Sequence, residues 1–162
     1  MPYTLAMAFV LVPVLALAQA RQSPIKRTNP PTLSRPTGYT HVVEVSGAVR
    51  TIYLAGQVAL DRAGNVVGVN DMKTQADQVF KNLEAALAAA GARFGDVVKV
   101  NIYTTDISQA QAIRDARQRY IGEAPPASTL VQVVHLARPE FMLEIEAIAV
   151  VAQGAPAVPA AR

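Results

Sequence analysis

Between Tyr39 and Gln153 the chain alternates short β-branched runs with two stretches of helical periodicity. His41 to Ser46 and Thr51 to Gly56 are rich in β-branched and aromatic residues. Ser46-Gly47 supplies a tight connection between them, so the two runs predict a hairpin. Asp61 to Asn65, with Gly64, predicts the next turn, and Val66-Val67 a short strand after it. From Met72 the apolar residues recur at three- and four-residue steps through Ala76, Val79, Phe80, Leu83, Leu87 and Ala90. That is one stripe of an amphipathic helix, with Lys73, Lys81 and Glu84 outside it. Asp71 is placed to cap its start, and Gly91 to close it as a residue that takes positive φ without a Cβ clash.

Val97 to Thr104 alternates, with Val98, Val100 and Ile102 on one side and Lys99, Asn101 and Tyr103 on the other. This predicts a strand with one face on the core. A second helix is predicted from near Ser108, where Ser108 and Gln111 have capping-box spacing, to just before Gly122. Ala110, Ile113, Ala116 and Tyr120 would face inward. Pro125-Pro126 stops any continuation, and Thr129 to Val134 and Met142 to Val151 predict two closing strands. The order is βββαβαββ, an α+β sheet with its two helices on one face.

The flanks read differently. Residues 1–20 carry no charge, are apolar from Leu5 to Ala18, and end in Ala18-Gln19-Ala20, a small-x-small pattern before Arg21. This predicts a cleaved signal peptide and a periplasmic or secreted protein with no membrane attachment after cleavage. The stretch is short for a permanent anchor, which needs ~20 apolar residues. Met1-Pro2-Tyr3-Thr4 lacks the usual Lys or Arg, so a misassigned start, with a cytoplasmic protein, is the alternative. Residues 21–38, with Pro30, Pro31 and Pro36, form a linker or N-terminal arm; residues 39–153 form the domain; residues 154–162 form an Ala/Pro tail.

Composition narrows the chemistry. The 162 residues are 51% hydrophobic, enough for a real core, and the net charge is only +3. Lys and Arg are scattered rather than gathered into a basic stripe with aromatics, so no nucleic-acid partner is expected. The chain has no cysteine, which excludes disulfides, thiolate metal sites and thiol nucleophiles. His41 and His135 lie far apart with no carboxylate cluster beside them, so no metal site is expected. Ser128 lacks the surroundings of a hydrolase nucleophile and reads as a neutral pocket residue. On periodicity alone, Glu144 and Glu146 belong to a solvated strand face.

The run Tyr53-Leu54-Ala55-Gly56-Gln57-Val58-Ala59-Leu60-Asp61 resembles the SGQ-(aliphatic)-x-x-D signature of RidA/YjgF proteins. Gln75 with Asn82-Leu83, Ala90-Gly91-Ala92, Asp96 to Lys99, Tyr103 to Asp106, Pro125-Pro126-Ala127 and Glu144 to Ala149 follow in the family's order. The resemblance spans Tyr39 to Val151. It implies a chorismate-mutase-like, RidA-type α+β fold and a homotrimer with three clefts between neighbouring subunits. Active members of that family hydrolyse imines and enamines derived from amino acids and need no cofactor. In them an arginine after Pro-Ala grips the substrate carboxylate, and a glutamate in the last strand handles the attacking water.

The resemblance assigns Glu144 as that glutamate and Tyr39 as the tyrosine of an early Gly-Pro-Tyr-Ser motif, which reads Gly38-Tyr39-Thr40 here. It also departs at one position: Pro126-Ala127-Ser128-Thr129 puts Ser128 where the arginine stands. Thr129 and Gln132 are expected to line the pocket beside Ser128. Arg114 stands about where active members carry an asparagine; as a substitute cation it is the alternative to simple loss of the charge, which is the expectation because helix phase alone does not place its guanidinium. Gly56 is expected to mark a close backbone approach, and Gln57 to hydrogen-bond locally. Three functions follow in order: a small-molecule cleft hydrolysing C=N bonds, a non-catalytic metabolite-binding trimer, and an endoribonuclease.

Overall fold

The computed structural model describes residues 23–154, so the expected signal peptide and residues 155–162 of the expected tail lie outside the described residues. The elements are β1 (Ile25–Thr28), β2 (Val42–Val45), β3 (Val49–Val58), α1 (Met72–Ala89), β4 (Val97–Thr104), α2 (Ala110–Ile121), β5 (Ala127–Gln132) and β6 (Leu143–Ala152). The letters match the expected βββαβαββ, but through an exchange. The arm contributes a strand, β1, and Val66-Val67 contributes only a single bridge from Val66 to Leu60.

The expected hairpin is not formed. β2 pairs antiparallel with β1, while β3 pairs with β6, so the Ser46-Gly47 connection crosses from one sheet to another. Local turn chemistry was compatible with a hairpin, but β3 finds a ten-residue partner in β6 and β2 finds the arm. The larger sheet has the order β3-β6-β4-β5. β6 runs antiparallel to both neighbours, and β4 and β5 are parallel, joined by α2 as the crossover.

One face of this sheet carries the core. Leu54, Val100, Ile102, Leu143, Ile145, Ala147 and Ala149 pack against Met72, Ala76, Val79, Phe80, Leu83 and Leu87 of α1 and Ile113 and Ala116 of α2. Phe80 stacks on Tyr120 at 5.4 Å and tilts against Phe94, which joins the two helices to the start of β4. On β4 the buried positions are Val97, Val100, Ile102 and Thr104, not Val98. The register to β6 slips by one residue between Val97 and Lys99. That bulge lets Val97 take the core place expected of Val98.

α1 is bounded as expected. The Asp71 carboxylate accepts from the Thr74 N–H (3.1 Å) and hydroxyl (2.6 Å). At the other end Gly91, at φ +66°, closes a Schellman motif, with Ala92 N–H donating to Leu87 O and Gly91 N–H to Ala88 O. The expected cap at Ser108 is displaced by two residues. Asp106 accepts from the Ser108 N–H and hydroxyl and from the Gln109 amide, and a 3₁₀ turn over Ile107–Gln109 precedes α2.

Three polar residues of α1 hold loops rather than water. Gln75, fully buried, donates to Gly68 O (3.1 Å) and Glu140 O (2.7 Å) and accepts from Met142 N–H (2.9 Å). Asn82 donates to Val58 O and Leu60 O, and Gln78 to Leu60 O. Together they fasten the exit of β3 and the entry of β6 to one helix.

Gln75→Leu takes the partner from Glu140 O and Met142 N–H, while Gly68 O keeps its bond from Asp71 N–H, so urea denaturation is expected to show a loss of ~1–3 kcal/mol. A pH dependence follows from Asp61, Asp71 and Asp106. Their carboxyls are held below the ordinary value, first by hydrogen bonds from the side chains of Asn65, Thr74 and Ser108 respectively. A lowered folded-state value means this stabilisation is complete above the unfolded value and disappears as pH falls through the folded one. Stability is therefore expected to decline below roughly pH 4. Asp71→Asn, which keeps an acceptor but cannot titrate, flattens that decline.

Candidate functional site

Among the described residues, no helix lies on the second face of the larger sheet. Because side chains alternate along β6, burying Leu143, Ile145, Ala147 and Ala149 sends Glu144, Glu146 and Ile148 to this open side. The register sets Asn101 opposite Glu146 and Tyr103 opposite Glu144. Asn101 donates to the Glu146 carboxylate at 2.6 Å and the Tyr103 hydroxyl donates to the same oxygen at 3.2 Å. Lys99 donates to the Thr129 hydroxyl at 2.7 Å. Burial, then the bond to Glu146 and the charges of Glu146 and Glu144, push the Tyr103 phenol above its ordinary value. Burial lowers the Lys99 ammonium, opposed by Glu146. A cavity of about 400 Å³ is lined here by Tyr53, Ala55, Lys99, Asn101, Glu146 and Ile148. Tyr53 is 78% exposed.

Glu144 occupies a built position on this face. Between Leu54 and Gln57 the β3–β6 register slips by one residue, a bulge at Ala55-Gly56. A Cβ placed on Gly56 would overlap the Glu144 carboxylate. The glycine marks a close approach, as expected for it, and what approaches is the carboxylate, which a side chain at this position would displace. Gln57 donates to Ala55 O at 3.1 Å, closing the bulge locally, also as expected. Glu144 is half-buried, not the fully solvated strand residue that periodicity alone suggests.

A second cleft, of about 530 Å³, lies at the other end of β4. Arg27, Gly38, Tyr39, Thr40, Gln118 and Pro125 are among its walls. Thr40 is buried and ties the segment to the start of β5, its N–H donating to Pro126 O and its hydroxyl to Pro125 O. Tyr39 packs edge-on to His41 at 5.1 Å, and the His41 ring bonds Ser34 O. Arg27 donates to Gly95 O and Val97 O, which docks β1 against the head of β4.

The structure separates the residues that the sequence analysis grouped. Thr129 is opposite Asn101 and shares the open face with Glu144, whereas Ser128 is opposite the core residue Val100 and sits on the helix side of β5. Gln132 accepts from the Ile107 N–H, so it braces the turn before α2. Arg114 is exposed on α2. Ser128 and Glu144 lie on opposite faces, three residues apart along β4 and two strands apart across it. At ~3.3 Å per residue and ~4.8 Å per strand, their backbones are roughly 14 Å apart. Tyr39 belongs with the second cleft. One chain therefore carries two separate clefts.

Residues outside the sequence expectation join both. Lys99, Asn101 and Tyr103 were legible only as the polar side of an amphipathic strand. Arg117 had no signal at all beyond its charge. Its guanidinium lies against the Gly38 backbone, where a Cβ would overlap it, and Gly38 has φ +76°. Burial, then the charge of Arg114, push Arg117 below its ordinary value.

Comparison with known proteins gives one consistent picture. Residues 32–151 match the family model described as endoribonuclease L-PSP. The 2-iminobutanoate/2-iminopropanoate deaminase of Dermatophagoides farinae is 32% identical over 130 residues, 80% of this chain and 98% of that protein. Protein DfrA of Myxococcus xanthus is 39% identical over 112 residues, 69% of this chain and 84% of its own length. Among solved structures, the Rid-family protein YyfB of Yersinia pestis, described as of unknown function, superposes with a TM-score of 0.73 at 36% identity. That match covers 80% of this chain and 100% of YyfB.

If Gly56 exists to seat Glu144, the two positions are energetically coupled. Gly56→Ala is expected to destabilise the protein, and Glu144→Ala to relieve part of that loss. A double-mutant cycle by urea denaturation should give a coupling of about 0.5–3 kcal/mol.

Proposed function

Because the chain belongs to the endoribonuclease L-PSP family, that of the RidA/YjgF (Rid) proteins, we propose that it hydrolyses small imines or enamines in clefts formed between copies of the chain. The observation that carries this reading is the seat of Glu144: a half-buried carboxylate set over a glycine bulge on an uncovered sheet face. A solvated strand glutamate needs no such cradle. The naming of relatives as 2-iminobutanoate/2-iminopropanoate deaminases supports the reaction class.

The chemistry asks little of the protein. An imine carbon is already electrophilic, so no cofactor is required. Glu144 accepts a proton from a water molecule as its oxygen attacks the carbon of C=N, and the nitrogen takes up a proton to give a carbinolamine. Collapse of that intermediate forms C=O and breaks C–N: Glu144 gives the proton it took to the departing nitrogen, which leaves as ammonia, and the hydroxyl proton goes to solvent, replacing the one the nitrogen drew from solvent in the first step. The net reaction is R₂C=NH + H₂O → R₂C=O + NH₃.

Assembly follows from the same geometry. Glu144 and the Tyr39 cleft cannot meet within one chain, and the open sheet face, with Tyr53 and Val131 exposed, has no covering element among the described residues. A homotrimer that packs this face against a neighbour supplies the missing half of each site. Thr129 is then a wall of the Glu144 half. Export to the periplasm, on the strength of residues 1–20, belongs to the same proposal.

Ser128 favours a second reading. It offers no charge to a carboxylate, which fits a pocket that binds a metabolite without turning it over. Ammonia release from enzymatically generated 2-iminobutanoate separates the two. The proposal expects acceleration over buffer that falls by about 10²–10⁴-fold in Glu144→Ala. No acceleration, with a small molecule co-purifying in mass spectrometry, establishes the binding module instead. Light scattering is expected to give three chains per particle, and a monomer would sink the shared-cleft account.

A further inference from the structure

The chain has four lysines, and the fold treats one of them differently. Lys26, Lys73 and Lys81 are exposed, whereas Lys99 is half-buried on the open sheet face and lines its 400 Å³ cavity. Its amine is the strongest nucleophile on that wall, and imine hydrolysis at Glu144 makes no use of it. The Thr129 hydroxyl accepts from Lys99 Nζ at 2.7 Å and tethers the end of the side chain. Glu146 lines the same cavity, and its Oε1 accepts from Asn101 at 2.6 Å and from the Tyr103 hydroxyl at 3.2 Å. Those two bonds fix the carboxylate beside the amine. Burial favours the uncharged amine, and the charge of Glu146 opposes it, so the pair is suited to exchange a proton. Lys99 stands four residues from Tyr103, the cross-strand partner of Glu144, which is ~13 Å along β4. The two carboxylates therefore serve different ends of the face.

We propose that Lys99 and Glu146 form a second reactive site, in which the Lys99 amine captures small uncharged aldehydes or ketones as a Schiff base. A lysine drawn partly out of water is the usual nucleophile for this chemistry. Glu146 takes a proton from the Lys99 ammonium, and the freed nitrogen attacks the carbonyl carbon. One nitrogen proton passes to the oxygen, which gives a carbinolamine. Glu146 then gives its proton to that hydroxyl, which leaves as water while the C=N bond forms. The net step is Lys–NH₃⁺ + R₂C=O → Lys–NH⁺=CR₂ + H₂O, and hydrolysis reverses it. The walls set the class of carbonyl compound. Tyr53, Leu54, Ala55, Ala147 and Ile148 offer apolar contact to a short chain. The charge of Lys99 is already matched by Glu146, so a keto acid would bring an unmatched negative charge into the cavity. The site is built from residues of one chain and does not rest on the hydrolase reading.

The test traps the adduct in the purified protein. Butanal is added with cyanoborohydride, which reduces a Schiff base to a stable butylamine, and peptide mapping by mass spectrometry reads each lysine. Lys26, Lys73 and Lys81 are controls within the same molecule. Lys99 is expected to be labelled at least ~10-fold faster than any of them. Glu146→Gln is expected to slow Lys99 by about 10²-fold and leave the three controls unchanged. Tyr53→Ala, at a side chain 78% exposed, cannot unfold the core and is expected to slow Lys99 roughly threefold. With 2-oxobutanoate in place of butanal, the ratio of Lys99 to control labelling is expected to fall at least ~10-fold. Labelling of Lys99 no faster than the controls overturns the site. An equal ratio for 2-oxobutanoate and butanal overturns the uncharged class. A Glu146→Gln protein that melts as wild type does and labels Lys99 at the same rate removes the proton role of Glu146.

Discussion

Placing β6 between β3 and β4 decides most of this molecule. A strand paired on both edges has no backbone freedom left, so its side chains alternate strictly between the two faces. With Leu143, Ile145, Ala147 and Ala149 committed to the core against α1, Glu144 and Glu146 have only one direction to go. The polar pair is held in place by hydrophobic burial on the other side of the same strand. Shifting the register by one residue would put both carboxylates into the core, which the fold cannot tolerate.

Two register slips adjust this frame. The bulge at Ala55-Gly56 brings backbone under the Glu144 carboxylate, and the bulge between Val97 and Lys99 turns Val97 inward and leaves Lys99 on the open face. The first stays fixed because the loops beside it are fastened from α1. Gln75, Gln78 and Asn82 satisfy carbonyls at the exit of β3 and an N–H at the entry of β6. Polar residues on a core helix thus hold the segments that carry Glu144 and Gly56, which is how a rigid scaffold sets a side chain to within the tolerance chemistry needs.

The two sites sit at opposite ends of β4. On the open face Glu144 is seated against Gly56, and Lys99, which donates to the Thr129 hydroxyl, lines the cavity beside it. The Tyr39 cleft is walled by the arm and by the segment between α2 and β5. In the proposed assembly an open face of one chain would meet a cleft of another. This is a reason for a small domain to leave a sheet face uncovered, where a solitary protein would have put a helix or a layer of solvated charge.

Read alone, the sequence determined α1 almost to the residue, the strand β4, the closing β6 and the ordered motifs of the family. Each of these is written in local periodicity or in a cap, and Asp71, Gly91 and the Glu144 to Ala149 run act within a few positions. It also marked Gly56 as a place of close approach. Only the tertiary structure decided what approached it, because the Gly56–Glu144 contact joins residues far apart in the chain. The same holds for the lost hairpin: Ser46-Gly47 permits pairing of β2 with β3, but the arm and β6 offer longer-range partners that no local pattern announces. Ser128 was readable as a missing charge, whereas its place on the helix side of β5 came from its register with Val100.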